Sequence, residues 1–177
     1  MTVKLHLGCG KRFIPGFTHL DIQQHPHVAI VSSVDRLEMF ADGSVDLIYA
    51  SHLLEHFGRH DTERVLKEWF RVLRPGGVLR LAVPDFERAI EVYRKHGDLE
   101  MVKFLVGGQR DEHDLHRNLF DRRSLEAMLK RVGFKEVREW DWRKTEHANI
   151  DDYSQAYIPH MDKEHGILIS LNLEAVK

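Results

Sequence analysis

Apolar residues along this chain recur with two periods, and the changes between them divide it into short strands and amphipathic helices. "KLHLGC" (4–9), "FTHLDI" (17–22) and "VAIVSS" (28–33) read as brief strands, and "VDLIYAS" (45–51) follows the turn signal "ADGS". Between the first two, Pro15-Gly16 leaves little room for a helix. The segment 61–73, "DTERVLKEWFRVL", sets Val65, Leu66, Trp69, Val72 and Leu73 on one helical face, with an Asp-Thr start and a Pro75-Gly76-Gly77 stop. "VLRLAVP" (78–84) is a near-continuous apolar strand of the kind covered on both faces.

The second half continues with "FERAIEVYRKH" and "LEMVKFLV", one helix or two broken at Gly97, and with a helix over 124–134 that ends on a glycine. Strand patterns at 136–142 and 166–176 close the chain with no helix between them. Early strands with room for crossovers, followed by two strands that lack one, predict an α/β fold: a mostly parallel sheet with an antiparallel edge strand. No repeat, low-complexity tract or linker interrupts it.

Composition narrows the class. A chain of 177 residues is long enough for one full core, so one domain over 1–177 is expected. Lys plus Arg number 26 against 28 Asp plus Glu, a net charge of -2, which lacks the footprint of a nucleic-acid binder. No apolar run reaches membrane-spanning length. With a single cysteine, Cys9, and no basic leader before an apolar segment, a cytoplasmic protein without membrane partners is the expectation. Cys9 itself is read as a small residue in a tight turn.

Candidate chemistry begins at "LHLGCGKRF" (5–13), where an apolar run stops at Gly8-Cys9-Gly10. Glycines after a first strand let a ligand touch bare backbone, as in nucleotide-type sites. The dinucleotide fingerprint wants a third glycine where this chain has Phe13, so the corner indicates a cofactor without naming it.

Taken together, "LHLGCG", "HLDI", "DGSVDLIYASHLLEHF", "VLKEWFRVLRPGGVLRLAVPD" and "LFDRRSLEAMLKRVGF" resemble, in order, the motifs of class I S-adenosylmethionine-dependent methyltransferases, specifically the type 11 group. The resemblance spans roughly 4–137. It implies a Rossmann-like, seven-stranded, mostly parallel sheet with one antiparallel strand and helices on both faces. The cofactor implied is S-adenosylmethionine, held by the turn Gly8, Cys9 and Gly10. Asp21 would take the ribose hydroxyls, Asp35 and Leu37 would line the adenine slot, and Ser51 would face the sulfonium beside His52.

Two departures from the family pattern stand out. Only ten residues separate Gly10 from Asp21, against about 20 in the dinucleotide fingerprint, so the first helix is lost or reduced to a turn. The chain also starts at the first strand without the family's closing N-terminal helices, which leaves the loop 107–121, the long connection 143–165 or a second subunit as lid. A homodimer is therefore favoured.

The function expected is methyl transfer to a small-molecule acceptor. If that acceptor is a hydroxyl, a base is needed, and a histidine titrating near 6.5 suits it: His52 first, then His116 and His113. An amine acceptor would need none. Three alternatives remain open. One is a module that binds the cofactor without catalysis. Another is a nicotinamide oxidoreductase, which needs a helix after the glycine turn that Phe13 and Pro15-Gly16 leave no space for. The last is a zinc hydrolase built on His52-x-x-Glu55-His56, a pattern that needs the interior of a helix, whereas here it follows a strand within a residue. No metal is expected.

Overall fold

The computed structural model describes residues 2–177. Seven strands form one sheet: β1 (Lys4–Leu7), β2 (Thr18–Asp21), β3 (Ile30–Val31), β4 (Val45–Ser51), β5 (Leu73–Pro84), β6 (Glu136–Glu139) and, last in the chain, β9 (Ser170–Val176). Their order is β3-β2-β1-β4-β5-β9-β6. β3, β2, β1, β4 and β5 run parallel, whereas β9 pairs antiparallel with both β5 and β6. The antiparallel strand is therefore not at the edge, as the sequence pattern suggested; it is inserted between β5 and β6. Its residues explain the position. Leu171, Leu173 and Ala175 are buried on one face and Asn172 and Glu174 on the other, a burial on both sides that an edge strand would not need.

The 166–176 pattern is in fact two strands. Ile167–Leu168 (β8) pairs with Tyr157–Ile158 (β7) in a small separate ribbon, and the chain turns at Ile169 into the main sheet. Elsewhere the helices sit close to expectation. α1 (Thr62–Val72) buries Val65, Leu66, Trp69 and Val72 and passes directly into β5 at Leu73. Trp69 is fully buried and donates its indole N–H to the Val34 carbonyl (2.8 Å). The break at Gly97 is real: α2 (Phe86–His96) ends on this left-handed glycine, and a 3-10 helix follows over Leu99–Val106. α3 (Arg122–Val132) starts two residues earlier than the apolar pattern, because Asp121 and Ser124 form a reciprocal capping box.

The two faces of the sheet are covered differently. On one, α1 and α3 supply Val65, Leu66, Trp69, Leu125 and Leu129 to the main core with Leu5, Leu7, Ile48, Leu81 and Leu173. On the other, Ile14, Phe17, Tyr49, Ala82 and Trp140 pack with Trp142 and Ile150. Helical cover on this second face comes as two single-turn 3-10 helices, Trp142–Lys144 and Tyr153–Gln155, within the long connection. That connection is thus a packed layer, with His147, Asp152, Ser154 and Gln155 buried. It is tied down by the Tyr49 hydroxyl on Asp152, by Gln155 Nε2 donating to the Ala148 and Ile150 carbonyls, and by Asn172 Nδ2 donating to the Ser154 carbonyl. The short 10–17 turn, lacking a first helix, leaves the space this layer fills. No helix among the described residues is long and apolar enough to cross a membrane.

Candidate active site

Strand order reverses between β1 and β4, with β2 and β3 on one side and β5 on the other. A crevice opens at such a switch point beyond the carboxyl ends of the strands. The glycine corner and Asp21 meet there. Gly10 donates its N–H to Asp21 Oδ2 (2.7 Å), and Gln23 donates to Oδ1 (2.8 Å). Both glycines have positive φ, 60° at Gly8 and 52° at Gly10, but their bare Cα atoms serve different ends. A Cβ at Gly8 would stand 2.6 Å from a Leu53 methyl, so this glycine admits Leu53; at Gly10 the same direction is open.

A carboxylate offers about four lone-pair sites, and the two backbone donors leave Asp21 further acceptor capacity although it is buried. Such an acceptor beside an open glycine fits a ligand carrying vicinal hydroxyls. Beside it, Ile22 and Val31 are apolar yet 44% and 49% exposed, a surface that a flat aromatic group can cover. Sequence reading passed over Ile22; its signal was an apolar residue directly after the strand-terminal acid.

Two of the expected adenine-slot residues are engaged elsewhere. Leu37 is fully buried in the main core, so its side chain is not free to line an adenine slot; it anchors the loop after β3. Asp35 is bound by Ser33 and by Arg64 (3.1 Å), which hold its carboxyl below the usual range and turn it toward α1. Cys9 is buried, and burial followed by the Asp21 charge pushes its thiol up to about 12, which suits the small turn residue that the sequence suggested. Ser51 ends β4 with a hydroxyl that has no hydrogen-bond partner among the described residues.

Directly after β4, His52 takes a positive φ of 49°, unusual for a residue with a side chain. The strained step redirects the chain into a single 3-10 turn, Leu54–His56, so "HLLEH" does not form the continuous α-helix that a zincin pair requires. It instead buries Glu55 completely, and neither carboxylate oxygen has a hydrogen-bond partner among the described residues. Burial pushes that carboxyl up to about 8. His116 arrives from far along the chain because Arg117 and Asn118 donate their backbone N–H groups to the Glu55 carbonyl (2.8 and 3.1 Å). Its Nε2 lies 3.8 Å from Glu55 Oε1, while His52 Nδ1 lies 3.5 Å from the same oxygen.

His52 and His116 thus both stand against Glu55, with their basicity depressed. Burial, then the neighbouring His116 and His56, lowers His52 to about 3; burial and His56 lower His116 to about 4. His113 is a further correction: it is exposed beside Glu112, outside this group, because the loop turns it to solvent.

A cavity of about 790 Å³ opens over the cluster, lined by His52, His56 and His116, by Gly107 and Asp114 of one expected lid segment, and by Asp151, Tyr153 and Tyr157 of the other. Arg12 spans its edge, stacking over Tyr153 (5.0 Å) and donating to the Asp151 carbonyl (3.2 Å). Nothing local in the sequence foretold this contact between the glycine turn and a segment 139 residues away.

The strand order, the reversed penultimate strand and the crevice define a class: the fold is that of the class I S-adenosylmethionine-dependent methyltransferases. Within it, residues 15–81 match the family model described as a methyltransferase domain. Similar solved structures include a SAM-dependent methyltransferase from Archaeoglobus fulgidus (15% identity, 99% of this chain and 86% of that chain, TM-score 0.62). Another is a SAM-dependent methyltransferase from Methanosarcina mazei (20% identity, 98% and 91%, TM-score 0.60). A third is the 1,6-didemethyltoxoflavin-N1-methyltransferase of Burkholderia thailandensis, with its substrate and S-adenosylhomocysteine bound (14% identity, 99% and 70%, TM-score 0.60). No curated protein matches the sequence.

Proposed function

We propose that this chain is an S-adenosylmethionine-dependent methyltransferase acting on a small-molecule acceptor. The observation that carries the reading is the meeting of Gly10 and Asp21 at the switch point of a class I sheet. In this reading the Asp21 carboxylate takes the ribose hydroxyls, the backbone at Gly8, Cys9 and Gly10 lies under the methionine portion, and Ile22 packs against adenine. Ser51 and His52 stand at the junction with the acceptor. The bound cofactor supplies an electrophilic methyl group, which leaves the protein chiefly the work of alignment.

The acceptor belongs in the cavity beyond His52, whose volume is in the range of small-molecule sites. The neutral imidazole of His116 orients a hydroxyl or amine by hydrogen bonding, His52 packs beside it, and the Arg12–Tyr153 stack closes the edge against water. The similar Burkholderia structure, with 1,6-didemethyltoxoflavin and S-adenosylhomocysteine bound, supports both the cofactor and the acceptor class.

A thermal-shift panel of S-adenosylmethionine, S-adenosylhomocysteine and NAD tests the reading, because a ligand selective for the native state raises the melting temperature by mass action. The two sulfur compounds should raise it and NAD should not. A shift with NAD alone would sink the proposal.

A further inference from the structure

We infer that Glu55, His56 and His116 form a binding site for a divalent transition metal of the zinc class, with a coordination position open to the acceptor cavity. One ligand atom from each lies within 4.8 Å of the others. Two imidazoles and a carboxylate are a donor set used by catalytic zinc, which keeps its fourth position for water or substrate. Tetrahedral zinc with bonds near 2.1 Å needs donor separations of roughly 3.4 Å, so modest side-chain rotation closes the site.

The independent observation is the carboxylate itself. Glu55 is fully buried, and among the described residues both its oxygens lack a hydrogen-bond partner, as does Nδ1 of both His56 and His116. Burying a carboxyl without a hydrogen-bond partner is costly, and the groups that face it among the described residues are imidazoles.

The surrounding bonds sharpen the point. Ser170 gives its only hydroxyl proton to Asn172 Oδ1 (2.9 Å), whose amide is oriented by Nδ2 donating to the Ser154 carbonyl. The Ser170 oxygen must therefore accept from His52 Nε2 (3.0 Å). This makes His52 the Nε2–H tautomer and leaves its Nδ1 lone pair facing Glu55 Oε1 at 3.5 Å. The gap between these two acceptor atoms takes a proton on the carboxyl or, in its place, a cation bound at Glu55, with His52 flanking the site.

Softness selects the metal. Imidazole donors favour zinc, cobalt or nickel over magnesium, which prefers an all-oxygen shell. The His56 and His116 side chains line the cavity, so the open position faces it and suits an oxygen ligand. On the methyltransferase reading, that oxygen would be an acceptor hydroxyl, whose acidity a bound metal would raise.

The test is a calorimetric titration of zinc chloride into the full-length, chelator-stripped chain without cofactor, repeated with cobalt(II) for its visible spectrum and with magnesium. We expect one saturable zinc site, a tetrahedral cobalt spectrum, and at least about tenfold weaker binding in Glu55→Gln and in His116→Asn. The latter lies on a loop and should spare the fold. His113→Asn should bind as wild type. Absence of saturable zinc binding, wild-type affinity in both cluster variants, equal loss in His113→Asn, or tighter magnesium than zinc overturns the inference. Because cofactor is absent, zinc binding without S-adenosylhomocysteine binding keeps this site and removes the methyltransferase reading, and the reverse does the opposite.

Discussion

The Nε2–H of His52 donates to the hydroxyl of Ser170, 118 residues away, and this contact orients the side chain that the β4 turn sets at the mouth of the cavity. The direction of the bond is decided by Asn172, which takes the serine proton. Ser170→Ala removes the acceptor and leaves a largely buried imidazole N–H unpaired, at a cost of about 1–3 kcal/mol. Nitrogen-15 NMR of the histidine ring should show the Nε2–H tautomer in the native protein and a mixed tautomer in the variant. An Nδ1–H tautomer in the native protein would contradict the assignment.

Trp69 joins α1 to the loop after β3 through its indole N–H and fills the main core. Trp69→Ala should cost about 3–5 kcal/mol in chemical denaturation, from the cavity alone, with the Val34 carbonyl losing its donor as well. A loss under 1 kcal/mol would mean that the core on this face is not packed as described.

On the opposite face, Arg80 donates to Glu174 (2.8 Å) and Glu146 (3.0 Å), and Lys4 also reaches Glu146 (3.0 Å). Glu174 is largely buried and keeps Arg138 as its other partner. Removing one member of a buried pair costs roughly 3 kcal/mol or more when no partner remains; Arg80→Ala should approach but not exceed that figure. Limited proteolysis of the variant should cut first within 143–156, where Glu146 keeps only Lys4 of its two cationic partners. Unchanged protection of this segment would show that the network does not hold the layer down.

How much of this was legible beforehand differs by residue. Val65, Leu66, Trp69 and Val72 announce α1 because their spacing is set by local geometry, and Gly97 announces the break after α2 for the same reason. The glycine corner and Asp21 were readable because strand ends place them in a known relation. The burial of Leu37 was hidden because a single apolar residue in a loop gives no sign of whether it faces a ligand or the core. The antiparallel strand's place beside β5 was equally hidden, since period-2 alternation reports faces and not neighbours. His116 could be suspected but not placed; only the backbone bonds from Arg117 and Asn118 to Glu55 put it beside His52.

Acid should destabilise the protein through His6 of β1, which is buried against the rings of Phe17, His19 and Tyr49. Burial, then His19, His147 and His27, lowers it to about 3 from an ordinary 6.5. Between those values the unfolded chain takes up a proton that the folded chain refuses, so stability falls as pH drops through this window. The slope for one such group is about 1.4 kcal/mol per pH unit. Denaturation midpoints of wild type and His6→Gln between pH 6.5 and 4 should converge as pH falls; parallel curves would exclude His6 as a source of acid sensitivity.

The central claim is that Asp21 and the bare turn at Gly10 hold an adenosyl group. Calorimetric titration of S-adenosylhomocysteine into the wild-type chain and into Asp21→Ala measures this directly. The account predicts saturable binding with about one equivalent per chain, weakened roughly tenfold or more when the carboxylate is removed, as expected for losing charge-assisted hydrogen bonds. No binding to the wild type, or equal affinity in the variant, would contradict it.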